Sequence, residues 1–352
     1  MKKQRPKWLA PVAFALLVLV TIYVVSRQSA SFTAESFLDY VQQVKPWGLA
    51  ASVACMLAFI GFEGAALLTM CGALGYPQRR HRGLMYAAAD IYFSAITPSA
   101  TGGQPASAVL MMADGIPGAV TTVVLLLHLV MYNVALFSTA ILGFLLWPGV
   151  LSAFDTPSHI LIAIGTVLHL ALIGGILLLV LSEKLFLRVV NLFLHLGQRL
   201  HLIKDAEGRR EKLLQIEADY RASAGILHRR KGALLLTLLY NFGQRLATTL
   251  VPVLLFAASG GALGDLRRLF AIQVMAVIGS NTLPIPGAVG VADYLFLDGY
   301  GTLLADPINL ELLSRSVSFY ICVLVCALVL LASFLWHKRR DGEAGANDLN
   351  RR

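Results

Sequence analysis

Six apolar runs, near residues 8–26, 48–75, 118–146, 158–182, 232–257 and 311–336, are each long enough to cross the roughly 30 Å of hydrocarbon in a bilayer as one helix. An ordinary soluble domain has no use for so many. Of 352 residues 57% are hydrophobic and only 14% charged, which excludes a typical soluble globular chain. The expected fold is an all-α polytopic integral membrane protein with six full transmembrane helices. The first run follows Lys2, Lys3, Arg5 and Lys7, the layout of a signal peptide. It is longer than a signal core and no small-x-small cleavage site follows, so it is expected to stay as a helix. Cys55, Cys71, Cys322 and Cys326 all lie in apolar runs and read as packing residues, not as a disulfide or metal set.

Two more segments, 84–113 and 268–305, are apolar but cut by Pro/Gly loops, and each half is too short to cross alone. They are expected to enter the membrane and return as re-entrant helical hairpins. The first is cut by ITPSATGGQP, Ile96 to Pro105, where Pro98, Gly102, Gly103 and Pro105 interrupt any helix. A break in hydrocarbon strands backbone donors and acceptors, so it is tolerated only against protein or a wet cavity.

Charge tests the topology independently, because short cytoplasmic loops accumulate Lys and Arg. With the N-terminus inside, segments 1–7, 76–83, 183–231 and 337–352 are cytoplasmic and hold 23 of the 29 basic residues. Both termini are then cytoplasmic and the two hairpins open to opposite sides. Pro98 to Gly115 reads PSATGGQPASAVLMMADG and Pro284 to Gly299 reads PIPGAVGVADYLFLDG, each a Pro/Gly loop, an apolar half-helix and Asp-Gly. Chance likeness of Gly-rich apolar sequence competes here with an inverted-topology repeat, the arrangement transporters use to build a midplane site. Residues 183–231 carry 11 basic against 6 acidic residues, which fits a basic amphipathic connector on the anionic inner leaflet or a plain solvated linker. The chain reads as one transmembrane domain over 1–337 and a polar cytoplasmic tail over 338–352.

Pro105 suits the first turn of a helix, with Thr101, Gly102 or Gly103 before it as a cap, so a half-helix is expected from there to Met112. Pro286 and Gly287 are expected to start its counterpart, through Leu297. Two positive helix ends facing one cavity make an anion site for a phosphate or carboxylate. The competing reading is a break that only eases helix packing. Thr97, Pro98, Thr101, Gly102, Gly103 and Gln104 on one loop, and Pro284, Pro286, Gly287 and Gly290 on the other, are the candidate substrate-binding positions.

Ionisable residues far from the interfaces are costly in lipid and need a task or a partner. Glu63 lies in the middle of the second span, Asp90 and Asp293 fall within the hairpins, and Arg245 shares a face of the fifth span with Asn241 and Gln244. Arg245 and Asn241 are expected at a lipid phosphate, with Glu63, Asp90 and Asp293 as charge partners that orient the arginine or meet a cationic head group. A buried ion pair fixing helix register competes with this, and the polar neighbours of Arg245 favour the functional side. Arg315, four residues after Glu311, reads as a surface pair or a snorkelling side chain. His128 with Tyr132 and Asn133, and His169, read as interhelical hydrogen-bonding groups. HExxH, GxSxG, P-loop and paired-Cys motifs do not occur, so no catalytic residue, metal or cofactor is expected and an ATP-driven pump is unsupported.

At these residues the chain resembles the transmembrane part of the lysylphosphatidylglycerol synthase/flippase family, also known as the multiple peptide resistance factor family, and its stand-alone flippase-like relatives. The likeness covers about 8–336. Its most specific marks are ITPSATGGQP, preceded by the Asp90–Tyr92 stretch, and LPIPGAVGVADYLF at 283–296. Family members commonly carry Gly-Gly and then Glu in the second motif; here Ala288 and Asp293 stand at those places, so the charge sits on a shorter arm.

The resemblance implies a membrane domain that moves a cationic, aminoacylated phospholipid to the outer leaflet, an activity tied to antimicrobial peptide resistance. In full-length members a soluble C-terminal domain transfers lysine from lysyl-tRNA to phosphatidylglycerol. This chain stops fifteen residues after His337, so that half is expected to be absent. The expected function is a flippase-like transporter, not an enzyme, for a phospholipid or lipid-linked phosphate head group in a bacterial cell (cytoplasmic) membrane. Its expected partners are anionic or aminoacylated lipids and a separate synthase, with no nucleic acid. The alternatives are a membrane scaffold for such a synthase and a phosphatidylglycerol lysyltransferase in its own right.

Overall fold

The computed structural model describes residues 34–97, 102–182, 230–281 and 290–333, with scattered residues between 184 and 195. The first expected span, most of the basic connector and the polar tail lie outside the described residues, as do Pro98, Thr101, Pro284, Pro286 and Gly287. Among the described residues all regular structure is helical: α1 (Ala34–Gln43), α2 (Pro46–Ala73), α3 (Arg80–Ile96), α4 (Gly103–Ala113), α5 (Gly118–Leu146), α6 (Thr156–Leu181), α7 (Lys231–Ala258), α8 (Leu266–Ser280), α9 (Val291–Gly301) and α10 (Ile308–Arg315). A π-helical turn, Ser316–Ile321, carries the last helix on to Ser333.

Four of these helices are long and apolar enough to cross a membrane: α2, α5, α6 and the last helix. α7 coincides with the expected fifth span and has the same 28 residues as α2, about 42 Å of helix. Its buried polar face, with Asn241, Gln244 and Arg245, makes it less apolar than the other four.

Helix ends follow from local chemistry. Pro46 occupies the first turn of α2, where its missing N–H costs nothing. At the other end Gly75 adopts φ +90°, Tyr76 N–H bonds to the Cys71 carbonyl at 2.9 Å and Gly75 N–H to the Gly72 carbonyl at 3.2 Å. This left-handed glycine stop recurs after α7, where Gly260 has φ +94° and Gly261 N–H reaches the Phe256 carbonyl at 2.9 Å. α6 is capped by Asp155, whose carboxylate accepts from Ser158 N–H at 2.8 Å.

The chain folds back on itself twice. Asp114, just past α4, returns to the start of α3, accepting from the Tyr86 hydroxyl at 2.5 Å and pairing with Arg82 at 3.1 Å. The second hairpin closes through a bond from the Tyr300 hydroxyl of α9 to Gln273 of α8. Its far end is tied to the start of α6, because Asp298 accepts from Asp155 N–H at 2.9 Å and from the Ser158 hydroxyl at 2.6 Å.

The order long helix, glycine stop, helical hairpin, long helix thus occurs as α2–α5 and again as α7–α10. The leading helices of the two sets, α2 and α7, pack antiparallel along their length. Gly48 near the start of α2 sits against Leu254 and Ala258 near the end of α7, Ser52 donates to the Val251 carbonyl at 3.5 Å, and farther along Glu63 meets Gln244. α1 is an amphipathic helix that the sequence reading did not anticipate. Its Phe37, Tyr40 and Val41 pack on the core, and it covers the first turns of the last helix.

Candidate functional site

Both hairpins and five longer helices line a cavity of about 880 Å³. α2 supplies Glu63, α3 Asp90, α5 His128 and Tyr132, and α7 Arg245. The second hairpin and the last helix close the other side with Gln273, Tyr300, Glu311 and Arg315. Pro252 of α7 lies on the wall; having no N–H, it leaves the Thr248 carbonyl beside it without its helical donor. The π-helical turn contributes Ser318 and Phe319, and such turns recur at functional positions within helices.

Arg245 is buried, with 7% of its surface exposed. One guanidinium nitrogen donates to the Tyr132 hydroxyl at 2.9 Å, and the guanidinium carbon lies 4.2 Å from the centre of the Tyr132 ring and 5.4 Å from that of Phe59. Its Nε is buried without a hydrogen-bond partner. Among the described residues no carboxylate comes within 4.0 Å of it. The acids nearby are held by neutral donors: Glu63 accepts from Gln244 Nε2 at 2.6 Å, and Asp90 from the Ser94 hydroxyl at 3.2 Å. A buried cation held, among the described residues, by a neutral hydroxyl and two ring faces retains its capacity for an anion.

Arg315 is the contrast. The sequence places it at a surface pair or as a snorkelling side chain; the pair with Glu311 forms at 3.1 Å, but the side chain is only 10% exposed and also pairs with Asp293. The last helix packs here against α7, α9 and α1, and Arg315 faces the cavity beside Asp293 of α9. Asp293 is thus paired with Arg315, and no ion pair of the described residues joins it to Arg245.

The other expected positions divide. Glu63, Asp90, Arg245 and Gln104 line the cavity. Asn241 does not; it bonds back to the Thr237 carbonyl of its own helix at 2.9 Å. Thr97 closes the first loop, accepting from Gly102 N–H at 2.9 Å and donating to the Phe93 carbonyl at 2.6 Å. Gly102 and Gly103 are closely packed: a Cβ on Gly103 would stand 2.4 Å from the Asp90 carbonyl oxygen, and one on Gly102 would stand 2.5 Å from the Thr97 methyl. α4 starts at Gly103 and ends at Ala113, close to the expected half-helix.

The second half-helix departs from expectation. Gly290 at φ +91° is its cap, Asp293 accepts from Gly290 N–H at 2.9 Å, and the helix runs from Val291 to Gly301, later than Pro286 to Leu297. His128 and His169, read as interhelical bonding groups, both line the cavity with Nε2 unpartnered. The Nδ1 of His169 is taken up by the Gly165 carbonyl of its own helix at 2.7 Å. Their spacing from Tyr132 and Arg245 across helices was invisible along the chain.

The sequence of residues 8–326 matches the model of a family described as "Lysylphosphatidylglycerol synthase TM region". No curated protein matches the chain. With that match over most of its length, and with its apolar membrane-length helices, the chain belongs to the lysylphosphatidylglycerol synthase transmembrane-region family as a multi-pass membrane protein.

Proposed function

We propose that this protein is a lipid flippase-like transporter, which passes the phosphate-bearing head group of a phospholipid through the cavity while the acyl chains stay in the bilayer. The observation that carries the reading is Arg245, buried in a cavity of about 880 Å³ with no carboxylate of the described residues within 4.0 Å. A phosphate there would gain charge-assisted, bidentate bonds. Glu63 and Asp90 on the same wall suit the ammonium of a zwitterionic or aminoacylated lipid, lysylphosphatidylglycerol among them. The family description, which names a lysylphosphatidylglycerol synthase, supports that substrate class and a synthase as the source of the lipid.

In this reading the two hairpins are re-entrant, and residues 8–26, α7 and the four apolar helices make six spans in a bacterial cytoplasmic membrane with both termini inside. The antiparallel sets α2–α5 and α7–α10 are an inverted repeat, and access alternates as one set rocks against the other. Reconstitution into liposomes with labelled anionic, zwitterionic and lysylated phospholipids tests it. Accelerated exchange between leaflets, lost in Arg245→Gln, is the expected result. Exchange no faster than in protein-free liposomes for every lipid overturns it.

A further inference from the structure

The cavity holds more negative charge than its free arginine can balance. Glu63 and Asp90, each less than 10% exposed, interact side chain to side chain on its wall. Every element packed on α2 around Glu63 can be inspected for compensating charge: α3 brings Asp90, α7 brings Gln244 and Arg245, α5 brings His128 and Tyr132, and the last helix brings Cys322. On the α4 side of Asp90 the described residues bring Gly103 and Gln104, neither of them charged. Among the described residues Arg245 is thus the single cation for two carboxylates, and Arg315 across the cavity is already committed to Asp293 and Glu311. Two carboxylates and one guanidinium in a low-dielectric site leave an uncompensated negative charge, which burial penalises heavily.

We propose that Glu63 and Asp90 form a proton site: they hold one proton between them while the cavity is empty and take up a second when an anionic phosphate head group enters against Arg245. The charge count closes at each stage. One guanidinium and one carboxylate sum to zero in the empty site; the phosphate adds one negative charge and the second proton removes it. A head group with its own ammonium brings that compensation itself and enters without the extra proton. Anionic lipid therefore crosses together with a proton, and a proton gradient drives it. His128, 3% exposed with its Nε2 unpartnered on the same cavity wall, is the group placed to relay the proton.

The inference rests on the head-group reading, and two measurements separate their failures. Purified full-length protein in detergent is titrated with dihexanoyl phosphatidylglycerol and with dihexanoyl phosphatidylethanolamine, by calorimetry in buffers of different protonation enthalpy. About one proton taken up per phosphatidylglycerol and none per phosphatidylethanolamine is expected, and the uptake vanishes in Glu63→Gln/Asp90→Asn. Phosphatidylglycerol binding with no proton uptake overturns the proposal. Infrared spectroscopy of the lipid-free protein reads the resting proton directly, as a protonated-carboxyl band at neutral pH that changes in Glu63→Gln and in Asp90→Asn. A missing band overturns the proton site whether or not lipid binds, whereas a band that responds to both substitutions while neither lipid binds supports the proton site and removes the head-group reading.

Discussion

The guanidinium of Arg245 donates to the hydroxyl of Tyr132 at 2.9 Å and lies over the ring of the same residue, 4.2 Å from its centre. That hydroxyl also accepts from Asn281 Nδ2 at 3.1 Å, at the tip of the second hairpin. One tyrosine therefore joins α5, the free arginine and the hairpin tip. Tyr132→Phe keeps the ring face and removes the acceptor; a hydrogen bond to a charged group contributes about 1.5–3 kcal/mol, so lipid exchange is expected to fall about tenfold or more. Tyr132→Ala removes both supports and should reduce exchange further. Equal activity of the phenylalanine variant and the wild-type protein in liposomes would show that the arginine needs no such anchor.

Arg315 and Arg245 should fail in different ways. Arg315→Gln leaves Asp293 and Glu311 buried without a cation, and breaking a buried pair on one side costs about 3–5 kcal/mol. Arg245→Gln breaks no ion pair within 4.0 Å among the described residues, and Glu63 and Asp90 keep their hydrogen bonds to Gln244 and Ser94. Thermal unfolding in detergent is expected to show a large loss of stability for the first and a small one for the second, with lipid exchange lost in both. A stable Arg315→Gln protein would place that cluster in water after all.

Much of the bundle is legible along the chain because apolar length alone specifies a span. Positions 48–75, 118–146, 158–182 and 311–336 each match a long helix within a few residues. The paired Pro/Gly loops likewise point to two hairpins. Site membership was harder to read. Asn241 and Arg245 share a helix face by spacing, yet only Arg245 lines the cavity. Arg315 looked exposed because nothing in its own neighbourhood reveals that Asp293, on another helix, pairs with it inside the bundle. Which glycines serve packing is also a tertiary fact, as Gly103 against Asp90 demonstrates.

Gly165 and Gly174 give a direct test of that last distinction within one helix. A Cβ at Gly165 would lie 2.2 Å from the Ile278 carbonyl oxygen of α8, whereas one at Gly174 meets nothing within 4 Å. Gly165→Leu is expected to force α6 off α8 and sharply reduce the yield of monodisperse protein by size-exclusion chromatography. Gly174→Leu should leave that yield unchanged. The opposite ranking would mean that α6 packs through another face.

Acid should loosen the start of α6 first. Asp155 is held below the ordinary carboxylate range by the Tyr294 hydroxyl, at 2.5 Å, and by Ser158 N–H. A lowered folded value means that the stabilisation is complete above the unfolded value, near 4, and is lost as pH falls through the folded one. Thermal stability of the wild-type protein should therefore decline below about pH 4 more steeply than that of Asp155→Asn, which is already weakened at neutral pH. Parallel curves for the two proteins would show that the cap contributes nothing that titrates.

The arrangement of charges at the two ends of the bundle predicts an orientation that can be measured. Lys45 N–H bonds to the Ala258 carbonyl at 3.0 Å, so the start of α2 and the end of α7 share one end. At the other end Arg82 pairs with Asp114 beside Arg79 and Arg80. Of the described basic residues Arg79, Arg80 and Arg82 belong to the second group, and the positive-inside rule then predicts that this end faces the cytoplasm. Single cysteines introduced as Lys45→Cys and Leu263→Cys should react with a membrane-impermeant maleimide on intact cells. Arg80→Cys, Lys212→Cys and Lys338→Cys should react only after permeabilisation. Labelling of position 212 from outside would invert the orientation and, with it, the side from which each hairpin enters.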